Sequence, residues 1–268
     1  MISSNIIAQL SKAEGIGWGI VEKDYFLTLL LDGIANNPFL RANFVFKGGT
    51  ALRKVYFRHY RYSEDLDFTL RRVLTEKEIE DNMNAVFEYL KKEYNADFRI
   101  RDFYSRKWFT DIKVQFVGMR GGKNTVTMDL TSDEVIVDKT VERKVFNPYY
   151  EKTFSMPVYS INEILAEKLR SFLQRTRVRD YYDSWYILTH ARDKINIKKV
   201  KEIFIKKTEY RKIRFPGKAQ LLDSDKIEQA RAYYRGQIGG QVSDLPDFDR
   251  LIQDLHNAIN ELDFSGGG

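Results

Sequence analysis

The chain has 268 residues, 43% hydrophobic and 31% charged, a composition typical of a folded globular protein. It contains no cysteine, which excludes disulfide bonds, thiol catalysis and cysteine-held metal centres, and its formal net charge of +6 is compatible with a polyanionic partner. The three histidines are far apart in sequence, so a histidine-rich metal site is not expected. No apolar stretch is long enough to cross a bilayer, and we expect a cytoplasmic protein without membrane contact.

Hydrophobic periodicity divides the chain into a mixed first part and a helical second part. Helices are predicted over 18–35, 51–57 and 76–94, and strands over 44–46, 66–70, 98–104, 110–117 and 125–131. After Pro157 the pattern becomes helical, and Ser160 with Glu163 forms a capping-box signature. Two successive helices are predicted there, ending near 175 and 190. The expected fold is α+β, with a mixed sheet and flanking helices over 1–155 and an all-helical domain over 156–265.

The first chemical motif is a glycine turn that follows the predicted strand at 44–46. Gly48, Gly49 and Thr50 stand where the next helix begins. Two glycines let the backbone approach a ligand closely, and the free N–H groups at a helix start bind anions. Thr50 adds a hydroxyl that can donate to a phosphate oxygen. The turn predicts a nucleotide-binding site, although glycines taken alone are more often an ordinary turn.

The second motif is a pair of aspartates on the strand predicted at 66–70. Asp65 and Asp67 are two residues apart, so their side chains lie on one face, opposite Leu66 and Phe68. Two neighbouring carboxylates repel each other, and a divalent cation relieves the repulsion. A phosphate turn followed by such a pair is typical of metal-assisted phosphoryl transfer. A solvated strand face is the alternative for the pair alone.

Two further groups are candidates for the same chemistry. Asp129 lies on the polar face of the strand at 125–131 and is a candidate third metal ligand and base, with Asp133 and Asp138 as nearby competitors. Lys168 falls on an otherwise apolar helix stripe, where an anion would explain it. Asp183 on the following helix is a plausible partner for Lys168, and the alternative is a structural ion pair between helices.

These motifs resemble the AbiEii/AbiGii toxin family of nucleotidyltransferases, over about residue 20 to about residue 250. The family is distantly similar to DNA polymerase β-like transferases, which have Gly-Ser followed downstream by Asp-x-Asp; here Thr50 replaces the serine. The later motifs are looser than the first ones. The segments that carry the resemblance are Val21–Tyr25, Phe46–Leu52, Tyr62–Phe68, Glu167–Leu169 and Arg179–Asp183.

The resemblance implies a nucleotidyltransferase-type sheet, an NTP substrate and Mg²⁺, and with Asp129 as a third carboxylate we expect two ions. It implies a toxin that transfers NMP to an acceptor hydroxyl, at a tRNA or other RNA 3′ end, and that is paired with an antitoxin. Residue by residue, Gly49 and Thr50 hold the triphosphate, Asp65 and Asp67 bind metal, and Lys168 contacts phosphate. Asp183 is a further catalytic or positioning acid, so the helical domain is expected to complete the active site. Asp129 matches no motif.

A basic segment predicts where RNA binds. Between Ile197 and Lys218, nine basic residues stand against two acidic ones. Basic charge with interleaved aromatics favours RNA, and a solvated helix face explains the segment equally well. The residues expected to contact RNA are Lys206, Lys207, Arg211 and Lys212.

Two other functions stay open. An RNA- or protein-binding module with weak catalysis is disfavoured by the intact Asp65, Asp67 and Lys168. A metal-dependent nuclease would need carboxylates but not the glycine turn.

Overall fold

The computed structural model describes residues 1–262, in two compact units. The first comprises residues 1–133 and 140–158, and the second comprises residues 134–139 and the chain from Tyr159 onward. The division after Val158 lies near the boundary predicted at 155/156. The segment 134–139 belongs to the helical unit, which no local sequence pattern indicates. Residues 263–265, the predicted end of the helical domain, lie outside the described residues.

The first unit contains a seven-stranded sheet and five α-helices among the described residues. Most predicted elements are present, and the structure adds elements that the periodicity did not reveal, such as the helices Ser4–Glu14 and Pro38–Asn43 and the strand Val141–Lys144. The helices are α1 Ser4–Glu14, α2 Trp18–Asn36, α3 Pro38–Asn43, α4 Gly48–Ala51 and α5 Glu76–Tyr94. The strands are β1 Phe44–Lys47, β2 Asp65–Leu70, β3 Phe98–Arg106, β4 Phe109–Val117, β5 Lys123–Thr131, β6 Val141–Lys144 and β7 Ser155–Val158.

The sheet is mixed, as the sequence predicts, with the order β3-β4-β5-β2-β1-β7-β6. The pairs β2–β5 and β1–β7 are parallel, and the other neighbouring pairs are antiparallel. β2 therefore lies at the centre of the sheet, between β1 and β5. The turn after β1 and the start of β2 are brought side by side because β1 and β2 are antiparallel.

The two faces of this sheet differ because hydrophobic and polar residues alternate along β2, β4 and β5. On one face, Ile112 and Met128 are fully buried. Helices α2 and α5 cover this face: Phe26 of α2 stacks on Phe116 with ring centroids 4.1 Å apart, and Phe87 of α5 stacks on Phe98. The other face carries the aspartates. The core therefore fixes which way the polar side chains point.

The second unit is helical among its described residues. Its helices are α6 Ile161–Gln174, α7 Val178–His190, α8 Ile197–Tyr210, α9 Ser224–Ile238 and α10 Phe248–Asn260. Helix α6 packs on α7 and α8, and α7 packs on α9 and α10. Within residues 1–262, no helix combines the length and the apolar character needed to cross a membrane.

The predicted capping box at the start of α6 is only half formed. Ser160 accepts a hydrogen bond from the backbone N–H of Glu163, as the motif requires. The Glu163 carboxylate accepts instead from the backbone N–H groups of Val137 and Asp138. The helix start was predictable because it depends on Ser160 alone. Glu163 is diverted because segment 134–139 offers it two donors from a distant part of the chain.

Candidate active site

Three aspartates lie side by side on the polar face of the sheet. Asp67 of β2 is the register partner of Asp129 of β5, and Asp129 is the register partner of Asp111 of β4. Register partners on neighbouring strands share a face and have Cβ atoms about 4.5–5.5 Å apart. Asp65 lies two residues before Asp67 on the same face of β2. The structure thus brings Asp65, Asp67 and Asp129 together, and adds Asp111.

This concentration of negative charge changes the acidity of Asp129. Burial raises the pKa of Asp129 to about 7, and the charges of Asp67, Asp111 and Asp65 contribute to the same shift. A hydrogen bond with Asp111 also favours the protonated form. Near neutral pH, Asp129 is therefore divided between its acid and its carboxylate form. A carboxyl group with this pKa can accept a proton and release it again.

The pKa of Asp129 gives a stability prediction with a definite sign. Folding raises this pKa from 3.8 to about 7, so the stability that Asp129 contributes is full below about pH 4 and is lost as the pH rises through about 7. Asp129→Asn removes this loss. We expect the Tm of the variant to exceed that of the wild type by about 2–5 °C at pH 8, and by less at pH 5. A difference that is the same at both pH values in thermal melts would contradict the assignment.

Gly48 explains how Asp67 is placed. Gly48 has φ of 78°, and a Cβ at this position would overlap the Asp67 carboxylate. The sequence predicted that the glycine turn admits a ligand close to the backbone. In the structure, the space beside Gly48 is taken by the protein's own carboxylate. The turn and the aspartate therefore form one unit, which is what the sequence hypothesis required of them.

Gly49 and Thr50 also face protein groups. A Cβ at Gly49 would lie 2.5 Å from Nη2 of Arg61, a buried residue that the sequence analysis did not single out. Thr50 is fully buried, and its hydroxyl donates to the backbone carbonyl of Asp65 at 2.5 Å. This bond ties the start of α4 to the start of β2. The donation of Thr50 to a phosphate oxygen stays a prediction, since its hydroxyl proton is engaged here.

Asp111 could have been found from the sequence by one further step. The hydrophobic alternation of Ile112, Val114 and Phe116 places Asp111 on the polar face of its strand. The glycine turn between the two strands makes β4 and β5 a hairpin, and the hairpin register sets Asp111 opposite Asp129. Arg61 had no comparable signal, because its position beside Gly49 depends on a loop with no periodicity.

Lys168 forms a buried ion-pair cluster in the second unit. Its Nζ lies 2.6 Å from Oδ1 of Asp180 and 2.8 Å from Oδ2 of Asp183. Burial opposes ionisation of Asp180, but the charges of Lys168 and Arg175 outweigh it and lower the pKa of Asp180. The predicted pairing of Lys168 with Asp183 is present, and Asp180 is an equal partner that the prediction left out. The cluster accounts for a lysine on an apolar stripe.

Comparison with known proteins shows which family this chain belongs to. The family model described as "Nucleotidyl transferase AbiEii toxin, Type IV TA system" matches residues 29–254. The chain belongs to the AbiEii nucleotidyltransferase family. Membership implies an NTP substrate and an antitoxin partner. The sequence-based resemblance to this family is therefore confirmed, and the alternative of an RNA- or protein-binding module with weak catalysis is not favoured.

Solved structures show the same fold at low sequence identity. A chain assigned as a nucleotidyltransferase from H. pylori has 15% identity and a TM-score of 0.58, covering 92% of this chain and 96% of its own. The nucleotidyltransferase toxin MenT4 from Mycobacterium tuberculosis has 15% identity and a TM-score of 0.57, covering 98% of this chain and 99% of its own. The predicted fold class is confirmed. Comparison with curated protein sequences gives no match.

One residue of this AbiEii-family protein that was predicted to contact RNA, Lys207, does not lie at the surface. Lys207 is fully buried, with Nζ 2.8 Å from Glu163, 3.1 Å from Glu134 and 3.3 Å from Glu167. Burial opposes its charge, but these three carboxylates raise the pKa of Lys207. The prediction that Lys207 lies at the surface and contacts RNA is therefore wrong. Periodicity gave no warning, because segment 134–139 supplies Glu134 from a distant part of the chain.

The other three predicted RNA contacts differ in their surroundings. Lys206 is exposed and pairs with Glu202 one helical turn away, at 2.8 Å. Arg211 is mostly buried and lies 3.7 Å from Glu134. Lys212 is exposed at the end of α8, with φ of 52°. Much of the positive charge in this segment is thus neutralised within the second unit, and its role in RNA binding stays a prediction.

The burial of Lys207 predicts a large effect on stability. Lys207→Met leaves buried carboxylates without their cation, and breaking a buried charge cluster in this way costs about 3–5 kcal/mol. Lys206→Met, the matched control, removes only an exposed pair and should change the free energy of unfolding by less than about 0.5 kcal/mol. Urea denaturation of the two variants checks this. Equal stabilities would contradict the burial of Lys207.

Proposed function

We propose that this nucleotidyltransferase transfers NMP from an NTP to a hydroxyl at the 3′ end of an RNA, such as tRNA, in a reaction that needs Mg²⁺. The observation that carries the proposal is the Asp67 carboxylate, which lies against the Gly48 turn and in register with Asp129 and Asp111. A turn that can hold phosphate and a group of carboxylates that can hold a cation therefore share one place on the sheet.

The carboxylates fit Mg²⁺ by their chemistry. Mg²⁺ prefers oxygen ligands and is commonly held by one or two carboxylates together with substrate phosphates. Asp65 and Asp67 supply such a pair. Burial and then the charges of Asp67, Asp111 and Asp65 raise the pKa of Asp129, and a cation would relieve the repulsion among these carboxylates. Within residues 1–262, no group of three or more His, Cys, Asp or Glu side chains forms a metal site by itself. We therefore assign Asp65 and Asp67 as ligands, with Asp129 as a candidate third one and two ions as the proposed count.

The protein residues would act mainly by positioning and charge. The acceptor hydroxyl oxygen forms a bond to the α-phosphorus, the bond from that phosphorus to the bridging oxygen breaks, and pyrophosphate leaves. Bound Mg²⁺ would neutralise charge on the attacking and leaving oxygens. Asp129, with a pKa of about 7, is suited to accept the hydroxyl proton. Backbone N–H groups at Gly48 and Gly49 would hold phosphate oxygens.

The roles of Lys168 and Asp183 in the reaction are also part of this proposal. The resemblance assigns Lys168 to a phosphate contact and Asp183 to a catalytic or positioning acid. The Asp180 carboxylate is as close to Lys168 as that of Asp183, so it competes for the same cation. We propose that Asp180 and Asp183 together hold the Lys168 ammonium group in place.

As a toxin, the protein would act where NTP and RNA are both present, and we propose the cytoplasm as its location. The test is to incubate it with each labelled NTP, with Mg²⁺ and total cellular RNA, and to locate the label. Label covalently attached to the 3′ end of an RNA supports the proposal. Shortened RNA without label would indicate a nuclease, and label on protein would show a different acceptor.

A further inference from the structure

The end of the β3–β4 hairpin exposes an unusual number of aromatic rings. Tyr104 is 46% exposed, Trp108 is 44% exposed and Phe109 is 38% exposed. Among the described residues, five large aromatic side chains are this exposed, and three of them lie in this segment of six residues. We call residues 104–109 the hairpin end. Exposed aromatic rings cost free energy in water, so their concentration at one place points to a partner.

The same six residues carry two cations that no carboxylate neutralises. Within residues 1–262, neither Arg106 nor Lys107 forms an ion pair; the guanidinium of Arg106 lies 5.2 Å from the Tyr104 ring centroid, and Nζ of Lys107 lies 4.8 Å from the Trp108 ring centroid. Over 98–117, five basic residues stand against two acidic ones. The positive charge here is therefore available to a partner, in contrast to the charge of Lys206 and Lys207.

The hairpin end continues the row of aspartates. Tyr104 of β3 is the register partner of Asp111, which is the register partner of Asp129. The Tyr104 side chain thus leaves the same face of the sheet as the carboxylates. Two strand spacings separate Tyr104 from Asp129, about 10 Å. About three stacked nucleotides, at about 3.4 Å each, cover that distance.

We propose that the hairpin end binds the single-stranded 3′ end of the acceptor RNA. Unpaired bases would stack on Tyr104, Trp108 and Phe109, while Arg106 and Lys107 contact the phosphates between them. An RNA strand bound in this way places its 3′ hydroxyl near Asp129. Two cations flanked by aromatic rings fit a polyanion with planar bases better than they fit a protein surface, where lysine is depleted. The inference rests on the proposed function, since it names the surface that presents the acceptor.

The test measures RNA binding by fluorescence anisotropy, with a 5′-fluorescein-labelled 12-nucleotide oligoadenylate as the probe. The double variant Tyr104→Ser/Trp108→Ser is expected to raise Kd at least about 10-fold, because each stacked base contributes about 1–3 kcal/mol. The matched control is Tyr233→Ser, which removes a 62% exposed ring of the helical unit outside the basic segment 197–218 and should leave Kd unchanged.

A second pair of substitutions tests the cations. Arg106→Gln/Lys107→Gln should weaken binding and reduce the slope of log K against log salt by about 1.4, because each lost phosphate contact changes the slope by about 0.7 for a single strand. All of these positions are exposed, so thermal melts should show wild-type stability. An unchanged slope would overturn the role of the cations.

The outcomes separate this inference from the proposed function. If the hairpin variants bind oligoadenylate as the wild type does, the hairpin end serves another partner and the inference is overturned, while NMP transfer stands. Equal binding of a blunt RNA duplex would also overturn it, because paired bases cannot stack on these rings. Mg²⁺-dependent NTP binding, measured by calorimetry, should be the same in wild type and variants. Absence of that binding from the wild type would instead refute the proposed function.

Discussion

Asp67→Ala and Asp65→Ala are expected to lower the rate of NMP transfer at least about 10³-fold while the fold is kept. Each substitution removes a carboxylate placed to hold a cation, and loss of one preorganised electrostatic group already costs about 10²–10³-fold in comparable sites. Both side chains are partly exposed, so no cavity is created in the core. Incorporation of labelled nucleotide, measured with matched amounts of folded protein, gives the result.

The thermal stability of these variants provides an internal control for their activity. Removing Asp67 takes away one of the charges that raise the pKa of Asp129, so this pKa should fall and the Tm should stay the same or rise. Asp81→Asn changes an exposed aspartate of α5 and should keep full activity. If the double variant of Asp65 and Asp67 transferred nucleotide at the wild-type rate, the assignment of this site would be wrong.

Gly48→Ala is expected to reduce activity nearly as much as the loss of Asp67. An added Cβ would overlap the Asp67 carboxylate, so the aspartate must leave its place beside the turn. The backbone also resists the change, because φ of 78° is costly for a residue with a Cβ, by about 1–2 kcal/mol. Transfer rates and thermal melts measured on the same preparation separate the two effects.

Gly121 offers a matched control for this prediction. It has the same φ of 78°, and a Cβ there would meet nothing within 4 Å. Gly121→Ala therefore carries the backbone cost without the clash, and it should lower the Tm while leaving the transfer rate within about 2-fold of wild type. Equal activity of the Gly48 and Gly121 variants would show that the contact between Gly48 and Asp67 has no catalytic importance.

The placement of the aspartates on one face of the sheet was largely accessible from local sequence. Asp65 and Asp67 share a face because side chains alternate along a strand, and the buried partners Leu66 and Phe68 decide which face that is. The same alternation placed Asp129 on the polar side of β5. These inferences succeed because side chains alternate between the two faces of a strand. The buried residues on one face therefore determine which residues lie on the other face.

Other features needed contacts between distant segments. The three carboxylates around Lys207 come from 134–139 and from α6, so a sequence pattern that marks a basic surface helix hid a buried ion-pair cluster. Likewise, the partner of Gly49 is Arg61, held in a loop without a repeat. Local periodicity describes which face of an element is buried, but it contains no information about which distant charge meets that face.

The sequence by itself determined the family, the mixed sheet and the two aspartate positions, because each depends on residues close together in the chain. Only the tertiary structure decided that Gly48 is shaped around Asp67, that Asp111 joins the carboxylates, and that Lys207 is withdrawn from the surface. Strand register and the packing of remote segments set these contacts, and both are properties of the whole folded chain.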